Sequence, residues 1–155
     1  MATEKWVSGS GVGFTWTDAF ATALLNSIAS GNAIASGVVI TNQTSLDMFA
    51  DLSIHLASAA FVAPNFVGVY LYPLTHGGTV YGDGRFAASA AGPPPANYMV
   101  GSIGIVAATQ AQDGILTGIL IPPGSVKFVL HNQGGVAWAA SANTCQYRTY
   151  NRSIA

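Results

Sequence analysis

Apolar and polar positions change their rhythm once along this chain. Phe20, Leu24, Leu25 and Ile28 follow one another at intervals of four, one and three residues, which predicts one short helix over 19–28. Thr17 and Asp18 stand where its N-cap belongs, and Gly31 stands where it would stop. Past that glycine the period becomes two. Ala50, Leu52, Ile54 and Leu56 alternate with Asp51, Ser53 and His55 as in a half-buried strand. A second run, Phe66 to Tyr72, is apolar throughout and closed by Pro73. Val38 to Thr41, Val80–Tyr81, Tyr98 to Val106, Ile115 to Ile121, Val126 to Asn132, Val136 to Trp138 and Cys145 to Asn151 complete the predicted strands.

The punctuation agrees with that reading. Pro122–Pro123–Gly124, the Gly134–Gly135 pair and Ser141 to Asn143 mark tight corners, as does Gly82–Asp83–Gly84. Ala87 to Ala96 contains three consecutive prolines, so it is expected as an irregular extended loop outside any central strand. Before the helix, Trp6 to Trp16 alternates weakly around Gly9, Gly11 and Gly13, as suits an extended arm or an edge strand. The expected fold is therefore all-β: an antiparallel sandwich, preferably a jelly roll of about eight strands, with one short N-terminal helix. Residues 1–17 are expected as the arm and 18–155 as a single domain, with no internal repeat.

Composition then narrows the function. Only 7% of the 155 residues are charged while 50% are hydrophobic, against about 25% charged in an ordinary soluble domain. A surface so poor in charge is expected to be covered by other protein. Five Lys and Arg residues form no basic stripe for nucleic acid. The charge-free run from Ala19 to Leu46 is long enough to raise a membrane span, but ten Asn, Ser, Gly, Thr and Gln residues between Asn26 and Gln43 interrupt it, so no membrane partner is expected. The N-terminal sequence lacks a signal-peptide pattern, so synthesis in a reducing cytoplasm is expected. The single Cys145 leaves no intramolecular disulfide and reads as a small buried hydrophobe.

Candidate chemistry is sparse. His55, His76 and His131 show no metal-ligand spacing. Asp47 and Asp51, placed in one strand, would lie on one face about 13 Å apart, beyond the separation of glycosidase carboxylates. Asp83 and Asp113 each precede a glycine and read as turn residues rather than calcium ligands. Gly118 to Gly124 is superficially similar to the second cupin motif, but Lys127 stands where that motif needs histidine and the first motif is missing. No catalytic, cofactor-binding or metal-binding residues are expected, and no enzyme.

One passage carries a resemblance. Ile119 to Gln133, with its Pro–Gly corner and the Lys127–Phe128–Val129–Leu130 strand, is followed by the small-residue turn Ala139 to Thr144 and by Tyr147, Arg148, Thr149, Tyr150 and Asn151. This resembles the end of small virion proteins of tailed phages, over about 40 residues. The resemblance implies a decoration (cement) protein made in the host cytoplasm and seated on the outer capsid surface. It would bridge neighbouring major capsid subunits and associate with itself as a homo-trimer or homo-dimer. Trp6, Phe14, Trp16, Tyr81 and Arg85 are the expected protein-interface residues. A carbohydrate- or receptor-binding sandwich, such as a tail-fibre head, is the alternative.

Overall fold

The period-two segments form strands, and the strands form two antiparallel sheets packed face to face. A computed structural model describes residues 4–8, 14–62, 65–74 and 89–154. The strands are β1 (Glu4–Val7), β2 (Thr17–Asp18), β3 (Asn32–Ala35), β4 (Ile40–Asn42), β5 (Phe49–Leu56), β6 (Asn65–Pro73), β7 (Ser89–Ala91), β8 (Met99–Ile105), β9 (Gln112–Leu120), β10 (Gly124–Gln133) and β11 (Thr144–Ile154). One helical turn, α1 (Thr22–Leu25), lies between β2 and β3, and a 3₁₀ turn at Ala96–Tyr98 precedes β8.

The first sheet runs β2–β11–β5–β9 and the second β4–β10–β6–β8, with β3 continuing β4 along β10. Counting β3 and β4 as one interrupted strand, these are the eight strands of a jelly roll in jelly-roll order. Two strands are added to that frame: β1 pairs with β11 and β7 with β3.

The core lies between the sheets. Leu52, Ile54 and Leu56 of β5 meet Val67 and Val69 of β6 and Val126, Phe128 and Leu130 of β10. Alternation fills this layer because one face of each strand must leave water. On the other face of the second sheet, Ala33, Ala35, Tyr70, Tyr72 and Val129 form a separate buried cluster with Tyr98 against it. With both faces covered, β6 has no polar phase, which explains its unbroken apolar run.

Several expectations need correction. The helix spans four residues instead of ten, and Thr17 and Asp18 are strand β2 rather than its cap. Tertiary contacts decide this: β2 pairs with Gln146 and Tyr147, the Ala19 amide bonds to the Cys145 carbonyl, and Phe20 and Leu25 are buried in the core. Val136 to Trp138 is loop, with Trp138 buried. Within the proline-rich stretch, Ser89–Ala91 is an edge strand, while the prolines stay outside it. Strand β3 had no sequence signal separate from the end of the expected helix. Of the two alternatives for the N-terminal segment, arm or edge strand, Glu4–Val7 takes the second, hydrogen-bonded to β11. Val80–Tyr81 and the turn at Asp83 lie outside the described residues.

The sheets come closest where β8 and β9, consecutive edge strands, face each other. A Cβ on Gly101 would meet the Leu116 methyls at 2.7 and 2.9 Å, and one on Gly114 would overlap Ile103. Gly114 is thus required by close approach within strand β9, and Asp113–Gly114 is not the turn its sequence suggested.

Candidate functional site

Strands β5 and β11 turn alternate residues away from the core. In register, Arg148 sits opposite Asp51 and Tyr150 opposite Phe49. Asp51 is 3% exposed, and a buried carboxylate needs its lone pairs filled. Its Oδ2 accepts from Arg148 Nε at 2.9 Å and forms an ion pair with Nη2 at 2.8 Å. Its Oδ1 accepts from the Tyr150 hydroxyl at 2.9 Å and the Gly118 amide at 3.0 Å. The last bond depends on a bulge. Ala50 pairs with Ile119 and Leu52 with Leu116, so Thr117 and Gly118 together face Asp51. Gly118 takes φ +69, a conformation glycine adopts without penalty.

The N-terminal segment builds walls around this pair. β1 pairs with residues 151–154 of β11 and β2 with residues 146–147, so Arg148 and Tyr150 lie between the two pairings. Trp6 packs edge-on against Tyr150 at 5.2 Å and Phe49 at 6.0 Å. Phe14 meets Tyr150 at 6.2 Å. The Arg148 guanidinium lies 4.7 Å from the Trp16 ring and 5.8 Å from that of Phe14, within cation–π range. Trp6, Phe14, Asp51, Thr117, Arg148 and Tyr150 line an open hollow of about 400 Å³. Burial, and then the hydrogen bond and charge of the Asp51 carboxylate, raise the Tyr150 pKa above its usual value.

No protein-family model matches this chain, and no curated protein matches it either.

Three of the five expected interface residues, Trp6, Phe14 and Trp16, therefore converge on one place. Tyr81 and Arg85 lie outside the described residues. Asp51, Arg148, Tyr150 and Thr117 were not anticipated there. A signal existed for two of them, since Arg148 and Tyr150 share one phase of a strand whose Tyr147 is partly buried against the core. Nothing local marked Asp51 as their partner.

The remaining titratable groups sit apart from the hollow. Asp47 lies before β5, not on a shared strand face with Asp51; its Oδ1 accepts from Asn151 Nδ2 at 3.0 Å. His55 Nδ1 is 2.7 Å from Asp113 Oδ1, across the β5–β9 pair on an exposed surface. Cys145 is buried, and burial with the nearby Asp18 charge pushes its thiol pKa up. Among the described residues no three His, Cys, Asp or Glu side chains cluster, and no helix is long and apolar enough to cross a membrane.

His131 is 3% exposed, with Nε2 at 3.2 Å from the Gly31 carbonyl and Nδ1 at 2.9 Å from Gln133 Nε2. Burial lowers its pKa from 6.5, partly offset by the Gly31 bond. The unfolded chain therefore takes up this proton first as pH falls. The stability from neutral His131 is present above about pH 6.5 and is lost below it, as pH falls through the depressed folded value. Urea unfolding between about pH 7.5 and 5 should show this loss, and His131→Gln should flatten the slope; an unchanged slope would refute the assignment.

A second surface feature is the ridge where β8 and β9 meet. Met99, Val106, Ile115 and Leu120 are 40, 67, 52 and 66% exposed. From Met99 to Leu120 the only charge is Asp113, held by His55.

Proposed function

We propose that this protein is a structural virion component: a jelly-roll decoration protein that stabilises a tailed-phage capsid by bridging neighbouring major capsid subunits. It works by contact, without catalysis. The observation that carries this reading is the charge-poor, apolar β8–β9 ridge. Edge strands that face water are ordinarily guarded by charge or proline, whereas this pair exposes Met99, Ile115 and Leu120, with Val106 exposed just past the end of β8. Centres of protein interfaces are depleted in Lys, Glu and Asp, and a lattice of identical subunits supplies such surfaces repeatedly. Self-association as a trimer or dimer about a capsid symmetry axis would place several ridges on the lattice at once, multiplying weak contacts.

Co-sedimentation with particles assembled from the major capsid protein tests the reading. The expected result is saturation at a fixed copy number, with Val106→Glu/Ile115→Glu binding about 100-fold more weakly, since each buried unpaired carboxylate costs more than about 1.4 kcal/mol. Failure of the intact chain to bind, or unchanged binding by the folded double variant, would overturn it.

A further inference from the structure

We infer that the hollow between Trp6, Phe14 and Tyr150 is a saccharide site, shaped for the acetamido-bearing ring of an N-acetylated hexosamine. This goes beyond attachment through the ridge and rests on different residues. At about 400 Å³ the hollow falls in the range of small-molecule clefts, which join apolar walls to a few placed polar groups. Flat protein contacts do not need such a concavity. The walls are aromatic, and Trp6 is 57% and Phe14 44% exposed, leaving ring surface to cover the apolar C–H face of a pyranose.

The floor selects the substituent. Asp51 already accepts three hydrogen bonds, has Arg148 Nη2 in ionic contact at 2.8 Å and is 3% exposed, so its carboxylate has little left to offer a ligand hydroxyl. Of a guanidinium's five N–H donors, Arg148 gives that of Nε to Asp51, with Nη2 in ionic contact. The floor therefore offers donors, and the complementary ligand group is an acceptor. An acetamido carbonyl supplies one without charge. A uronate would bring a second carboxylate beside Asp51, at a desolvation cost. Trp16, Phe14 and Asp51 hold the guanidinium in place beforehand, so little side-chain entropy remains to be lost on binding.

A polar strip continues from the hollow along the same face. Ser53 lies opposite Gln146, His55 opposite Thr144, and Gln146 Nε2 donates to Asp18 at 2.9 Å. Further sugar residues of a glycan would follow this strip.

Titration of the full chain with N-acetylglucosamine, its β-1,4-linked trimer, glucose and glucuronate, read by tryptophan fluorescence and amide NMR shifts, tests the inference. The trimer is expected to bind tightest, and N-acetylglucosamine at least about tenfold more tightly than glucose or glucuronate. Trp6→Ala should weaken binding about tenfold, with Thr117→Val as a second rim variant and melting curves confirming that each is folded. No binding by either acetylated sugar, equal binding of glucose, or binding indifferent to both variants would overturn it. Loss of particle attachment in Trp6→Ala without any sugar binding would instead give the hollow to a protein contact.

Discussion

Arg148→Met should destabilise the protein by about 3 kcal/mol, measured by urea unfolding at neutral pH. The figure is the low end for breaking a buried ion pair, because the Arg148 side chain is 30% exposed while that of Asp51 is only 4% exposed. The loss comes from what stays behind. Methionine fills most of the stem's volume, but the Asp51 carboxylate remains buried without its charge partner. Tyr150→Phe removes one neutral donor from the same carboxylate and should cost about 1–2 kcal/mol. Arg148→Lys should recover only part, since an ammonium keeps the charge but not the planar group that gives Asp51 both the Nε hydrogen bond and the Nη2 ion pair. A cost below about 1 kcal/mol for Arg148→Met would mean that water reaches Asp51 and that the hollow is not held from below.

Asn143→Ala should be equally costly, at about 3 kcal/mol or more, since each buried group left without a partner costs about 1–3 kcal/mol. Asn143 is fully buried. Its Nδ2 lies 2.8 Å from the Ala139 carbonyl, 3.2 Å from Asn26 Oδ1 and 3.3 Å from the Leu25 carbonyl. Its Oδ1 accepts from the Ala57 amide at 3.0 Å. Asn132 does the same at the other end of this loop, donating to Ile28 and Val136 carbonyls and accepting from the Gly134 amide. The two asparagines thus stand in for a strand, tying residues 134–143 to the short helix and its exit. Hydrogen exchange should show the Trp138 amide, which bonds to the Ile28 carbonyl, losing protection first in Asn143→Ala. Uniform loss across β10 and β11 would show that the loop is not a separate unit.

These two networks also show where sequence reading stopped. β5, β9, β10 and β11 were legible because each buries one face and exposes the other, or is closed by a Pro–Gly corner. The segment 19–28 carried a helical pattern of its own, yet pairing of β2 with β11 and burial of Phe20 and Leu25 outweighed a propensity worth only tenths of a kcal/mol per residue. Trp6, Phe14 and Trp16 were recognisable as contact residues by type. That they would share one hollow was not, because β11 brings them together by pairing with two separate pieces of the N-terminal segment.

By itself the sequence determined an all-β sandwich built from a charge-poor chain. Period-two alternation, turn residues and composition are local or summed properties, and the hydrophobic effect acts on them wherever the chain closes. Only the tertiary structure decided that Arg148 meets Asp51, 97 residues earlier, and that a two-residue bulge aims the Gly118 amide at the same carboxylate. Long-range register decides such meetings. It is set by the fit of whole sheets, so no stretch of sequence carries it alone.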